Sequence, residues 1–117
     1  MVVYESLTMR CKTLALRLYE HAESVYKLEI DQPVLLITPT WSNGTIGRNT
    51  NAFLKKYNHL VKGVVVSGDP SYKEDAWKAA NHIMKRYPHI EIVRKIEKEG
   101  TEEDFEYIKA WYQKHFK

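Results

Sequence analysis

The stretch VLLITPT, residues 34–40, decides how the rest of the chain is interpreted. Its first four residues are all apolar and include the β-branched Val34 and Ile37, and the run is too short for a helix. Apolar residues without polar alternation are typical of a strand that helices cover on both faces, as in a parallel sheet. The hydroxyls and the proline that follow mark a loop at the carboxyl end of this strand.

Other short apolar runs predict the remaining strands. Three of them, at residues 2–4, 64–66 and 90–93, are again rich in β-branched side chains. A fifth run, at residues 26–30, alternates apolar and polar side chains, which suits an edge strand.

Between the strands, apolar residues recur with helical spacing and predict four amphipathic helices. The predicted stripes are Leu14 and Leu18; Phe53, Leu54 and Tyr57; Ala76, Ala80, Ile83, Met84 and Tyr87; and Phe105, Ile108, Tyr112 and Phe116. The hydroxyl of Thr101, followed by three acidic residues, predicts the start of the last helix. We interpret the aromatic residues in these stripes as core.

The order of the elements predicts an α/β fold. We expect a doubly wound parallel sheet of five strands in the order 2-1-3-4-5, with helices on both faces and residues 1–117 in a single domain. Folds of this kind bind ligands outside the carboxyl ends of the strands, where the winding reverses. Here that point lies between the first and third strands.

Composition narrows the possible functions. The 117 residues, 44% hydrophobic and 28% charged, suit one compact domain. No run is long enough to span a bilayer and residues 1–10 do not resemble a secretory signal, so we expect a cytoplasmic protein without membrane association. The net charge of +3 arises from lysines interleaved with acids, which does not favour nucleic acid. Cys11, the single cysteine, excludes an intrachain disulfide and a cysteine-rich metal site.

Three predicted strand ends carry the candidate ligand-binding residues. The first loop combines hydroxyls and a positive charge with the amides of a helix start, which suits a phosphate. The second and third loops each offer one aromatic side chain beside glycine, which suits a planar ring. We predict a cofactor-binding role, and neither a catalytic residue nor a metal ligand, for these positions: Ser6, Thr8, Met9, Arg10, Cys11, Thr40, Trp41, Ser42, Asn43, Gly44, Ser67, Gly68, Asp69 and Tyr72.

Over essentially its whole length the chain resembles the NrdI family, flavodoxin-like proteins that accompany class Ib ribonucleotide reductase. The resemblance rests on Val-Val-Tyr before Ser6-x-Thr8, on Phe53-Leu54 with Tyr57 and Leu60, on Gly63-Val64-Val65 leading into Ser67-Gly68, and on Glu97 with Gly100-Thr101. It implies noncovalent FMN, with the phosphate in the first loop and the ring between the other two. It also implies electron transfer toward the dimanganese-tyrosyl radical cofactor of the reductase radical subunit, NrdF. Such a protein is a redox accessory rather than an enzyme with its own substrate.

The chain departs from the flavodoxin-like pattern at several positions. The phosphate loop of such proteins reads Ser/Thr-x-Thr-Gly-Asn-Thr, whereas this chain has Met9, Arg10 and Cys11 at the last three places. The third loop has Asp69 where the family shows Asn, and Lys73 where it shows Gly. These differences leave open an alternative, a binding module of the same fold that has lost FMN. A phosphoacceptor receiver domain has the same strand order, but it needs an aspartate after the third strand, where this chain has none.

Overall fold

The computed structural model describes residues 1–6, 8–41 and 44–116. They form one parallel sheet of five strands in the order β2-β1-β3-β4-β5, so the predicted order is confirmed. The strands are β1 (Val2–Tyr4), β2 (Glu23–Ser24), β3 (Val34–Pro39), β4 (Val61–Gly68) and β5 (Glu91–Glu97). The helices are α1 (Arg10–Leu18), α2 (Arg48–Tyr57), α3 (Lys78–Arg86) and α4 (Glu102–His115).

Helices cover both faces of the sheet, as predicted, and each face has its own core cluster. Successive side chains of a strand point to opposite faces. Leu35 and Ile37 of β3 therefore pack with α1 and α4, while Val34 and Leu36 pack with α2 and α3. All four are fully buried, which explains why this strand is apolar without alternation.

The winding reverses at β1. This strand pairs with β2 on one side and with β3 on the other, both in parallel. After β2 the chain crosses to the other side of β1, so α1 and α2 start on opposite faces of the sheet. A cleft opens between their starts, at the carboxyl ends of β1 and β3.

The prediction of an edge strand at residues 26–30 was wrong. The edge strand is β2, only two residues long, and a turn follows it in which Leu28 N–H donates to the Val25 carbonyl at 3.2 Å. Lys27 has a φ of 54° in this turn, which ends the extended conformation. Leu28 and Ile30 still pack against the core. The alternation of apolar and polar residues at 26–30 therefore belongs to a loop that packs against the core, and not to a strand of the sheet.

Two of the predicted helical stripes, those of α3 and α4, differ from expectation. Trp111 is the third buried residue of α4, with Phe105 and Ile108, while Tyr112 and Phe116 pack at the margin of the core. Trp111 lies over Gly63 of β4, where an added Cβ would come within 2.5 Å of the indole ring. Met84 of α3 is exposed rather than buried.

The start of α4 is confirmed. Asp104 N–H donates to the Thr101 hydroxyl at 3.1 Å, and Thr101 N–H donates to the Asp104 carboxylate at 2.9 Å, so the two residues form a capping box. Across the described residues, no helix has the length and apolarity required to cross a membrane.

Candidate functional site

The three strand-end loops meet at one small cavity beside the switch point. Its volume is about 70 Å³, comparable to roughly two water molecules in the liquid, so it has room for a compact group such as a phosphate. Nine of the predicted site residues line it together with Pro39: Ser6, Thr8, Arg10, Cys11, Thr40, Ser67, Gly68, Asp69 and Tyr72.

Two buried hydroxyls in this cavity have no hydrogen-bond partner among the described residues. They are Oγ of Ser6, from the first loop, and Oγ1 of Thr40, from the second. Thr40 is only 7% exposed. Because a buried hydroxyl without a partner costs about 1–3 kcal/mol, the pair indicates that the cavity is built to receive a polar group.

The first loop keeps a glycine-like backbone without a glycine. Met9, the residue before α1, has a φ of 71° and a ψ of −8°, which is the left-handed conformation. This is the position at which flavodoxin-like phosphate loops have glycine. The Met9 side chain is exposed and does not line the cavity, so the residue shapes the loop through its backbone.

The start of α1 is a favourable place for an anion. The first N–H groups of a helix have no partner within the helix, and the macrodipole is positive at this end. No acidic residue occupies the first turn of α1. Arg10, its first residue, adds a positive charge at the cavity wall.

Cys11 lies in the cavity wall as a protonated thiol. The residue is 2% exposed, and this burial, together with the nearby Glu5 carboxylate, raises the pKa of the thiol to about 12. At neutral pH the sulfur therefore adds no negative charge to the cavity.

The carboxylate of Glu5 joins the end of β1 to the start of α2. Its Oε1 accepts from Thr50 N–H at 3.0 Å and from the Thr50 hydroxyl at 2.6 Å, and that hydroxyl also lies 2.9 Å from the hydroxyl of Thr38. Glu5 is 7% exposed. Gly47 packs so closely on this carboxylate that any Cβ there would overlap it. A buried anion thus caps α2 from another element and holds the second loop against the first.

Part of the second loop lies apart from the cavity. Trp41 lines an adjoining depression with Glu5, Ser6, Ser24 and Asn49, and Ser6 is shared by both sites. Tyr72 thus lines the cavity itself, whereas Trp41 lines the adjoining depression.

Gly44 donates its N–H to the Trp41 carbonyl at 2.8 Å and has a φ of 81°. Gly44 packs against the side chain of Lys78 rather than in the cavity. The predicted site residues Ser42 and Asn43 lie outside the described residues.

The third loop is held by close backbone packing. A Cβ on Gly68 would lie 2.1 Å from the Ala76 carbonyl oxygen, so only glycine fits at this position. The Ser67 hydroxyl donates to the Lys98 carbonyl, which ties the loop to the residue after β5. Both residues line the cavity through this fixed backbone.

The carboxylate of Asp69 forms a hydrogen bond within its own loop. Its carboxylate accepts from Ser71 N–H at 3.0 Å, and this hydrogen bond is the main reason that the pKa of Asp69 is lowered. Tyr72 follows in the same turn and is partly exposed. Lys73, where the resemblance leads us to expect glycine, has a φ of 55° and a ψ of −123°.

Sequence reasoning missed two features of the site. Pro39 lines the cavity and Glu5 anchors the start of α2, although neither was among the predicted site residues. The sequence carries one signal for Glu5, an acidic residue directly after an apolar strand. Its partner Thr50 is 45 residues away and could not be identified without the fold.

Comparison with known proteins gives one consistent family. A family model described as "NrdI Flavodoxin like" matches residues 2–110. Protein NrdI of Deinococcus radiodurans is 31% identical over 114 residues, which cover 94% of this chain and 80% of that protein. Protein NrdI of Bacillus licheniformis is 38% identical over 77 residues, or 66% of this chain, and the match spans only 58% of that relative's length.

A solved structure supports the fold. A short-chain flavodoxin associated with a bacterial microcompartment superimposes with a TM-score of 0.75, covering 96% of this chain and 92% of that one. The two sequences are 18% identical, so this likeness concerns the fold alone.

Proposed function

The chain belongs to the NrdI flavodoxin-like family, and from this premise we propose that it is an FMN-binding electron-transfer protein. Membership implies a flavin cofactor and a link with ribonucleotide reductase. The finer proposal is that the protein supplies oxidant or electrons for assembly of the dimanganese-tyrosyl radical cofactor of a class Ib enzyme. Its partner would be the radical subunit NrdF, and both would meet in the cytoplasm.

The observation that carries the proposal is the pair of unpartnered hydroxyls in a cavity at the start of α1. The Ser6 and Thr40 hydroxyls can each donate to a phosphate oxygen, and the first amides of α1 are positioned to do the same. Polar groups that no described residue satisfies are what a phosphate site requires. The residues present therefore fit the phosphate group of FMN.

The other residues of the site would orient and shield the flavin. When bound, FMN supplies the one- and two-electron chemistry, so the protein need contribute only orientation and shielding. Tyr72 at the cavity and Trp41 in the adjoining depression offer aromatic surface for the ring system. Gly68 and the Glu5–Thr50 contact fix the backbone of the loops that carry them.

The competing candidate is a module of the same fold that has lost FMN. The absence of glycine, asparagine and the last hydroxyl from residues 9–11 favours it. The backbone of Met9 argues against it, because the left-handed conformation is kept at some energetic cost.

Titration of the apoprotein with FMN distinguishes the two candidates. We expect the purified protein to be yellow, and FMN added to the apoprotein to lose fluorescence through stacking with an aromatic side chain. A colourless protein that leaves the fluorescence of FMN unchanged at micromolar concentration would favour the module without flavin.

Two threonines of the same strand end provide a matched pair of variants. Thr40→Val removes an unpartnered hydroxyl, so FMN binding should weaken while the melting temperature stays the same or rises. Thr38→Val removes the hydroxyl that lies 2.9 Å from Thr50, so stability should fall by about 1 kcal/mol while FMN binding persists.

A further inference from the structure

We propose that Arg10 makes this cavity select phosphorylated flavin, so that the chain binds FMN in strong preference to riboflavin. The inference rests on the proposed function and adds to it a residue that determines specificity. At this position the usual phosphate loop has an uncharged asparagine, whereas this chain has a positively charged arginine.

Arg10 stands where a phosphate would be received. It begins α1, a helix of nine residues, and lines the cavity with Ser6, Thr8 and Cys11. The positive end of the helix dipole and the positive charge of the guanidinium therefore act at the same place. Arginine also offers a planar set of donors that matches two phosphate oxygens.

The guanidinium of Arg10 makes no hydrogen bond or ion pair with any described residue. By contrast, Arg17 pairs with Glu102 and Arg94 pairs with Asp104. Arg10 is half-buried rather than free in solvent. A cation at a cavity wall without a protein partner is available for an anionic ligand.

Neither of the two acids near the cavity pairs with Arg10. Asp69 lies close enough for the charge of Arg10 to lower its pKa, but its carboxylate accepts a hydrogen bond from Ser71 N–H. Glu5 is bonded to the backbone and the hydroxyl of Thr50. Cys11 stays a neutral thiol and adds no negative charge. Lys98 also acts on Asp69 through its charge, but it does not line the cavity. Among the described residues that do line it, Arg10 is the cation available to an arriving phosphate.

The unpartnered hydroxyls of Ser6 and Thr40 point independently to a polar ligand in the same cavity. They can bond to a phosphate of any charge, whereas the full positive charge of Arg10 adds to the partial charge of the helix dipole and favours a dianion over a neutral group. Hydrogen bonds to charged groups typically contribute enough to change affinity about 10- to 100-fold. Riboflavin has no phosphate, so Arg10 should contribute nothing to its binding.

The test is a fluorescence titration of the 117-residue apoprotein with FMN and with riboflavin. Arg10→Gln keeps a polar side chain and removes the charge, and we expect it to weaken FMN binding about 10- to 100-fold while riboflavin binding is unchanged. The affinity of the variant for FMN should also depend less steeply on salt concentration than that of the wild type. Lys12→Gln is the control, because it removes a charge from the same helix turn outside the cavity. It should leave both affinities unchanged.

The outcomes separate this inference from the proposed function. If the wild type binds riboflavin as tightly as FMN, or if Arg10→Gln weakens both equally, the role of Arg10 is overturned while flavin binding stands. If the wild type binds neither, the proposed function fails and the inference with it. Circular dichroism of each variant shows that the fold is intact.

Discussion

Two residues of the site loops hold backbone conformations that glycine adopts more easily. Met9 has a φ of 71° and Lys73 has a φ of 55° with a ψ of −123°. The left-handed conformation costs a side-chain-bearing residue about 1–2 kcal/mol, and the region that Lys73 occupies is still less favourable. At both positions the resemblance leads us to expect glycine, and the backbone there holds a conformation that suits glycine.

Replacing these residues by glycine tests whether the strain is real. Lys73→Gly should raise the free energy of unfolding by about 1 kcal/mol, because relief of strain exceeds the added entropy of the unfolded chain. Met9→Gly should be close to neutral, since its strain is smaller. Urea unfolding measures both. Glu106→Gly, in the middle of α4, is the control and should lose about 1 kcal/mol. If glycine at residues 9 and 73 lowered the free energy of unfolding as much as Glu106→Gly does, the backbone at those positions would not be strained.

The carboxylate of Glu5 is the most buried charge of the site, and two substitutions separate its charge from its hydrogen bonds. Glu5→Ala leaves the N–H and hydroxyl of Thr50 without an acceptor and should cost about 2–3 kcal/mol. Glu5→Gln retains a carbonyl acceptor of the same shape, so it should cost less than half as much. Urea unfolding at neutral pH compares them. Equal losses would mean that the charge, rather than the acceptor, secures α2.

At the scale of elements, the start of α4 is held by a capping box that is also tied to β5. Asp104 accepts from Thr101 N–H at 2.9 Å and from Arg94 Nε at 2.7 Å. Burial by itself would raise the pKa of Asp104, but these hydrogen bonds outweigh it and lower the pKa below its ordinary value. A lowered pKa in the folded state stabilises the protein above the unfolded pKa, and this contribution is lost as pH falls through the folded pKa.

Stability measured against pH should show this dependence. Thr101→Ala should cost about 1 kcal/mol at pH 7, while Thr101→Ser retains the cap and should be nearly neutral. Asp104→Asn should be less stable than the wild type at pH 7. The gap should begin to narrow below about pH 4, where the carboxyl of the unfolded chain becomes protonated, and should close once the folded carboxyl, whose pKa is lower, is protonated as well. A gap that persisted at acid pH would assign the effect to packing.

The elements that sequence predicted well are those whose pattern is local. The run at 34–37 and the cap at Thr101 each carry their full signal within a few residues. Strand β2 could not be found in this way, because Glu23 and Ser24 are exposed polar residues whose only strand-like property is pairing with Val3 and Tyr4. Trp111 was missed because its burial depends on Gly63, far away in the chain.

The same distinction holds for the candidate site. Which loops converge follows from strand order, and nine of the ten residues that line the cavity were in the predicted set, with Pro39 as the exception. The separate depression beneath Trp41 and the network from Glu5 to Thr38 depend on side-chain directions, which sequence does not specify. The cofactor-binding role of all fourteen residues stays a prediction.

At the scale of the whole molecule, the cavity lies at the edge of the sheet, between the helices that cover one face and those that cover the other. Its walls come from the loop before α1, which packs on one face of the sheet, and from the loops that follow β3 and β4 and lead to α2 and α3 on the other face. A ligand that bonds to all three loops therefore links both core clusters. Its binding energy should stabilise the entire domain rather than one loop.

Thermal unfolding with and without ligand tests this coupling. FMN at 100 times its dissociation constant adds about 2.7 kcal/mol, which should raise the melting temperature of a domain this size by roughly 10 °C. Amide exchange should slow in both α1 and α3. Adenosine monophosphate at the same concentration is the control, since it carries phosphate without the flavin ring and should shift melting far less. Equal shifts with both ligands, or protection confined to α1, would show that the cavity binds anions without joining the two layers.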